Sequence, residues 1–364
     1  MKKKTKEAPV LDRGVAWTAE MRDEVWPWRG HPNPAFRKDY VERSCDLVAA
    51  FAERRQYMDY DEHMRPWFRA GLKRVPVGER AMMEGALAIR DETTMPTKLD
   101  PDVEVALVAL EIQHVFTAVP FWIAKEGLEM ALRTLVRCHA YHSSGHDEGY
   151  GDHGVWVVHA PDGAGSYPEY AESGWEVLRA RLATADDATY ASMREVAEEL
   201  RANAPTVVRA FLAIAFATER DWADEAAEAA LAEEHPSAWC KRLVTVASLE
   251  LGARLARNER WAFEEGEILT LLAREGGAAV PVLGAALSAA GNNDERKRYA
   301  KLLARIETED AARAFVPWMA NKAVSPIATS YFKRVPEVAR RALSPIAKSN
   351  GPGARAAAIA LKSL

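Results

Sequence analysis

Five of the nine histidines of this chain lie within 21 residues, which makes this segment its densest group of side chains able to bind a metal. A zinc or nickel site needs three or four ligands that converge at about 2.0–2.3 Å. The spacing of these histidines matches no familiar ligand frame, and glycine-rich segments often carry solvated histidines. We therefore predict a polar loop, and we keep a metal-dependent enzyme as an alternative. The candidate ligands are His139, His142, His146 and His153, with His159 nearby.

Motifs for other enzyme chemistry are missing from the sequence. It contains no GxxxxGK[ST] phosphate loop, no GxGxxG after a strand, no HExxH and no GxSxG. We therefore expect no cofactor and favour a function other than catalysis.

Charge is distributed unevenly along the chain, although the formal net charge is only −5. Residues 161–236 contain 16 acidic and 6 basic side chains, for a net −10, whereas residues 295–364 contain 14 basic and 5 acidic ones, for a net +9. A basic C-terminal end of this kind can steer an acidic partner or a nucleic acid toward it. The alternative is that these charged residues only form solvent-exposed helix faces. The candidate partner-binding residues are Arg298, Arg305, Arg313, Lys333, Arg334, Arg340 and Arg341.

The elements that must position these residues are mostly helices. After residue 172 the sequence is a succession of short, alanine-rich segments, each with one apolar stripe, separated by turn residues. No such helix can bury its stripe alone, so consecutive pairs must stack. We predict an all-α fold, an α-solenoid of HEAT-like helical hairpins, with a non-repetitive helical bundle as the alternative. Ser325-Pro326-Ile327-Ala328 recurs as Ser344-Pro345-Ile346-Ala347, which is a weak internal repeat.

Four parts follow from this pattern. An extended N-terminal arm rich in proline and tryptophan covers 1–36, and a helical region covers 37–138, in which Pro120 is expected to interrupt a helix. A Gly/His-rich loop covers 139–172, where GVWVVHA (154–160) can form half of a small hairpin. The HEAT-like repeats cover 173–364. The tryptophans within these helices are expected to pack in the core, and the arm is expected to lie on the body and bury the rings of Trp17, Trp26 and Trp28.

Location is predicted from cysteine usage and hydropathy. Cys45, Cys138 and Cys240 are far apart and form no CxxC, as expected of reduced thiols in a cytoplasmic protein. No run of 18 apolar residues occurs, and no apolar segment follows the basic N-terminus. We therefore expect neither a signal peptide nor a membrane span.

Two segments resemble a known family. PFWIAKEGLEMALRTLV (120–136) and the helices of 322–364 are similar to the helical, HEAT-like region of the large bacterial proteins called molybdate metabolism regulator-like, many of which carry a WGR domain. The similarity includes Phe121-Trp122-Ile123-Ala124 and Val335-Pro336-Glu337-Val338-Ala339-Arg340. The chain departs from that family because it has neither the WGR domain nor the long C-terminal domain. The resemblance implies a regulatory helical protein of bacterial origin, and it carries over no catalytic residue.

These observations favour a non-enzymatic interaction scaffold that binds a protein partner. The alternative is a nucleic-acid-binding HEAT-like protein, similar to a DNA glycosylase, which would use a basic face. Gathering of the seven cationic residues on one face would favour nucleic acid, and their scattering would favour the scaffold.

The absence of a ligand frame predicts that metal is dispensable. Replacing His142 and His146 by alanine should leave the melting temperature nearly unchanged, and elemental analysis of the purified protein should find no stoichiometric zinc. Stoichiometric zinc, together with a large loss of stability on chelation, would contradict this prediction.

Overall fold

The computed structural model describes residues 14–33, 35, 115–138, 141–145, 155–159, 172–233, 238–258, 262–362 and 364. Within these residues the chain forms fifteen α-helices and a single two-stranded antiparallel hairpin. The predicted all-α fold is therefore confirmed.

The α-helices of the described residues are numbered in chain order. They are α1 (Ala19–Asp23), α2 (Val115–Glu126), α3 (Leu128–Cys138), α4 (Glu172–Thr184), α5 (Asp187–Arg201), α6 (Thr206–Ala215), α7 (Arg220–Ala232), α8 (Leu249–Leu255), α9 (Glu265–Glu275), α10 (Val280–Ala289), α11 (Asn293–Leu303), α12 (Glu309–Phe315), α13 (Ser325–Arg334), α14 (Pro336–Ala347) and α15 (Ala354–Lys362). Within the described residues, three 3₁₀ helices cover Ala238–Thr245, Gly276–Ala279 and Val316–Trp318. The strands are β1 (Tyr141–Gly145) and β2 (Val155–His159), paired with Tyr141 opposite His159. The strand predicted in 154–160 is thus present, and it has a partner within the predicted loop.

Contacts divide the chain into two compact units. One comprises Met1–Pro27 and Thr218–Leu364, and the other comprises Trp28–Ala217. The four-part division predicted from composition is a different partition, and it stays a prediction.

In the unit Trp28–Ala217, large aromatic side chains form the described core. Trp122 and Trp175 are each 1% exposed, and Trp175 stacks on Phe211 with ring centroids 5.4 Å apart. The expected core packing of these tryptophans is confirmed. The expected helix break at Pro120 is wrong, because Pro120 lies inside α2. The chain breaks instead at Gly127, whose φ of 87° is readily adopted only by glycine.

In the unit formed by Met1–Pro27 and Thr218–Leu364, the helices from α8 onward pack in an alternating pattern. α8 packs on α10, α10 on α12 and α12 on α14, while α11 packs on α13. The Ser-Pro-Ile-Ala repeat does not follow this pattern. Its first copy begins α13 at Ser325, whereas its second copy, with Pro345, lies within the C-terminal part of α14.

Trp26 anchors the N-terminal arm of this unit. Its indole is 2% exposed, and its backbone N–H donates to the Thr270 hydroxyl at 2.8 Å. The arm packs closely on Gly266 of α9. A Cβ atom at this position would lie 3.1 Å from the Glu24 carbonyl oxygen and 3.2 Å from the Trp26 Nε1, so a larger residue would push the arm away. The predicted burial of Trp26 is confirmed, although the arm also contains the short helix α1.

A buried ion pair borders the same indole. The Arg242 guanidinium lies 4.9 Å from the Trp26 ring centroid, and its Nε is 3.3 Å from the Glu267 Oε1. Burial raises the pKa of Glu267, and the Arg242 and Lys241 charges oppose that rise. Glu267 Oε2 also accepts the Glu264 N–H at 2.9 Å, which completes a capping box at the start of α9.

Two of the three cysteines lie in the described residues. Cys138 and Cys240 are buried, free thiols, as predicted. Burial raises the pKa of each to about 12. Both therefore stay protonated at neutral pH.

Among the described residues, one helical stretch, Glu265–Ala289, is long and apolar enough to cross a membrane by length and composition alone. It consists of α9, the Gly276–Ala279 turn and α10, and 61% of its most apolar window is buried within the protein. This environment is that of a core helix in a folded domain.

The Trp26–Thr270 contact predicts a specific stability loss. Thr270→Val keeps the side-chain shape but leaves the buried Trp26 N–H without that acceptor, so the free energy of unfolding should fall by about 1–3 kcal/mol. Urea denaturation measures this change. Thr184→Val is the matched control, because Thr184 also donates within its helix but is exposed, and its effect should stay below about 0.5 kcal/mol. Equal losses in the two variants would contradict the anchoring role.

Candidate anion-binding groove

Helix α11 carries a row of basic side chains. Asn292 caps its N-terminus by accepting from the Asp294 and Glu295 N–H groups. One face of the helix is buried through Tyr299, Ala300, Leu302 and Leu303. Arg296 bonds to the Ala290 carbonyl and the Asn293 side chain, and four further cationic side chains lie outside the buried face. These are Lys297, Arg298, Lys301 and, just beyond the helix, Arg305.

The segment after α11 is held from two sides. On one side the arm pairs with it, since the Ala16 N–H donates to the Arg305 carbonyl and the Glu307 N–H donates to the Gly14 carbonyl, each at 2.9 Å. On the other side the Tyr331 hydroxyl lies 3.0 Å from both the Ile306 and the Thr308 carbonyl oxygens. Burial raises the pKa of Tyr331, so this hydroxyl remains a donor. We call residues 305–308 the clamped segment.

A larger hollow of about 830 Å³ lies between the arm and α11. Its basic side consists of the four cations of α11 and its end. The acidic lining residues are Glu20, Glu24 and Glu265, together with Asp294 on α11, whose Oδ1 lies 3.3 Å from the Lys297 Nζ. Apolar atoms of Met21, Leu269 and Leu302 also line it, so the surface combines both charges with apolar contacts.

A smaller hollow of about 450 Å³ lies between α11 and α13. Lys301 and Arg305 line it as well, so these two residues belong to both hollows. Of the described residues that line the smaller hollow, none is acidic. The lining residues from α13 are Pro326, Ile327, Ser330, Tyr331 and Arg334.

Arg334 is fixed by its neighbours. Its Nη2 donates to the Ala304 carbonyl, its Nε is 3.6 Å from the Glu307 Oε1, and its guanidinium lies 5.7 Å from the Tyr331 ring centroid. The donation to Ala304 offsets the partial negative charge at the C-terminal end of α11. A guanidinium has five N–H donors, so these contacts leave capacity for a ligand.

Lys301 and Arg305 differ from Arg334. In the part of the chain that the structure describes, neither side chain makes a hydrogen bond or an ion pair. Both residues line the larger and the smaller hollow, so they lie where the two hollows meet. Two cations without an ion-pair partner among the described residues are therefore placed at this junction.

The structure brings together three of the seven predicted partner-binding residues, Arg298, Arg305 and Arg334. Three others are paired with carboxylates elsewhere: Arg313 with Glu309 and Asp310, Arg340 with Glu337, and Arg341 with Glu309. Lys333 is exposed and lines neither hollow. Lys297 and Lys301 were missed from the sequence, although the four-residue spacing of Lys297, Lys301 and Arg305 was a usable signal.

The predicted metal ligands cannot be placed as a group. His142 lies in β1, and His139, His146 and His153 lie outside the described residues. Within the described residues, no three His, Cys, Asp or Glu side chains form a group suited to a metal ion.

The fold and this groove define an all-α protein with a polar, mixed-charge surface. The chain belongs to the family described as the YehI second domain, which it matches over residues 56–261, more than half of its length. That range ends before α11, so the basic row lies outside the match. No curated protein and no solved structure matches the chain.

The contacts of Arg334 predict that it supports the groove structurally. Arg334→Gln should lower the free energy of unfolding by about 1 kcal/mol, because a charged donor to the Ala304 carbonyl is lost. Thermal or urea denaturation measures the loss. Lys333→Gln removes the same charge from the adjacent, exposed position and should change stability by less than about 0.5 kcal/mol. A larger loss for Lys333→Gln would contradict the assignment.

Proposed function

We propose that this chain is a non-enzymatic interaction module that binds an extended, acidic segment of a protein partner along α11. The observation that carries the proposal is the pair Lys301 and Arg305, which have no compensating partner among the described residues and line both hollows. An acidic side chain placed between them would gain two opposite charges without displacing an existing ion pair.

The size of the groove suits a short peptide. The 11 residues of α11 span about 16 Å at 1.5 Å per residue. An extended segment of about five residues covers that length. The apolar atoms of Met21, Leu269 and Leu302 can receive an apolar side chain of the same segment.

The distribution of charge favours a protein over a nucleic acid. A phosphate backbone needs a continuous cationic surface. Here Arg313, Arg340 and Arg341 are compensated by carboxylates, and four acidic residues line the larger hollow together with the cations. A peptide is charged only at some of its side chains, so its acidic residues can contact the cations while its neutral residues lie against the four acidic ones.

We also propose that the helices from α8 onward form a HEAT-like solenoid. Support comes from their alternating packing, in which α8, α10, α12 and α14 follow one another in one layer and α11 and α13 in the other. The proposed binding surface then belongs to the α11–α13 layer. Kinship with the molybdate metabolism regulator-like proteins and a cytoplasmic location remain parts of this proposal.

The direct test uses a fluorescent peptide of about eight residues, in which glutamate alternates with glycine and one leucine is central. Fluorescence anisotropy should show binding that weakens as salt rises. The double variant Lys301→Gln, Arg305→Gln should raise Kd about tenfold, since exposed charge pairs contribute about 0.2–1 kcal/mol each.

The matched control is Lys322→Gln, Lys348→Gln, which removes two charges from residues that line neither hollow. It should leave Kd nearly unchanged. Equal weakening in both double variants would show that only net charge matters and would contradict the proposal. A single-stranded oligonucleotide that binds more tightly than the peptide, with a steep log-linear salt dependence, would favour the nucleic-acid alternative.

A further inference from the structure

The smaller hollow has a charge balance that differs from the rest of the groove. Lys301, Arg305 and Arg334 contribute three positive charges, and none of its described lining residues is acidic. Within the described residues, one of these cations has an ion-pair partner: the Glu307 Oε1 lies 3.6 Å from the Arg334 Nε. These three cations and Glu307 together carry a net charge of +2, and the four acidic residues of the larger hollow do not line this one. A net charge of +2 exceeds what one carboxylate can compensate.

The hollow also provides suitable hydrogen-bond donors. Arg305 and Arg334 offer guanidinium N–H groups, Lys301 offers an ammonium group, and Ser330 offers a hydroxyl. These groups come from two different helices and the clamped segment, so they can surround a ligand with several acceptor oxygens. The Tyr331 hydroxyl is already engaged with backbone carbonyls and is not counted among these donors.

We propose that the smaller hollow binds a phosphate monoester dianion carried on a serine or threonine of the partner segment, a proposal that rests on the function proposed above. A phosphoserine or phosphothreonine carries a charge of about −1.5 to −2 at pH 7 and three strong acceptor oxygens. This charge matches the local +2, and planar guanidinium groups suit the geometry of phosphate oxygens.

The surrounding contacts hold the Arg334 side chain and the backbone at Arg305 in place before the ligand arrives. The arm fixes the backbone at Arg305, and the Ala304 carbonyl and Glu307 hold Arg334. Little side-chain freedom at Arg334 is then lost on binding, which favours affinity. Pro326 and Ile327 supply apolar atoms beside the donors, where contact with the ligand displaces water.

The experiment compares three peptides that differ at one central position, which is phosphoserine, glutamate or serine, within the same acidic sequence. Calorimetry at pH 7 should give a Kd about tenfold lower for phosphoserine than for glutamate. Lys301→Gln should abolish most of this difference, whereas Lys322→Gln, a lysine outside the hollow, should preserve it. Inorganic phosphate alone should bind much more weakly than the phosphopeptide.

The second ionisation of phosphate supplies an independent readout. Its pKa is about 6, so the phosphoserine advantage should grow between about pH 5 and pH 7 as the monoanion becomes the dianion. The glutamate peptide should show no such increase, because glutamate is already ionised over most of that range.

Several results would overturn the proposal. Equal Kd values for the phosphoserine and glutamate peptides would overturn the phosphate site. If replacing Lys301 and Arg305 still weakened binding of the glutamate peptide, the proposed peptide-binding function would stand. Binding of neither peptide would remove both proposals. Inorganic phosphate binding as tightly as the phosphopeptide would show that the ligand is a free anion and would overturn its assignment to a protein segment.

Discussion

The clamped segment, residues 305–308, is the constraint on which the candidate groove depends. The arm bonds to it through Ala16 and Gly14, and the Tyr331 hydroxyl contacts it from α13. Ile306 is fully buried within it, so the segment is also part of the core. These contacts join the end of α11, the arm and α13, and so determine where Lys301 and Arg305 stand relative to both hollows. A change in any one of them would move the boundary between the hollows.

The arm has a second attachment at Trp26, which makes it a wall of the groove. Between its two attachments the arm forms α1, which contributes Glu20 and Met21 to the larger hollow. Trp26 fits against α9 because Gly266 has no side chain and Thr270 accepts its N–H. The buried Arg242–Glu267 pair beside the indole is stabilised by mutual compensation, since either charge alone would be costly in that environment. The position of the acidic residues Glu20 and Glu24 in the groove therefore depends on the packing of Trp26 against α9.

The sequence predicted the helical class, the strand near Val155 and the burial of Trp26, because hydrophobic periodicity and indole burial are local properties. It could not predict which arginines are compensated. Glu309 binds both Arg313 and Arg341, and the second of these pairs crosses from α12 to α14, so only tertiary packing reveals it. Pro120 was expected to break a helix, yet the break occurs at Gly127, where positive φ ends α2. Lys301 was missed because a count of basic residues does not distinguish a cation without an ion-pair partner from one that is paired with a carboxylate.

Lysine footprinting of the unmodified protein tests the central claim most directly, namely that Lys301 lies within the peptide-binding surface. Brief acetylation, followed by mass spectrometry, gives the modification rate of each lysine with and without a saturating acidic peptide. The account predicts that the peptide slows acetylation of Lys301 severalfold while Lys322, Lys348 and Lys362 react at unchanged rates. Equal rates at Lys301 with and without bound peptide, or protection confined to the other lysines, would contradict it.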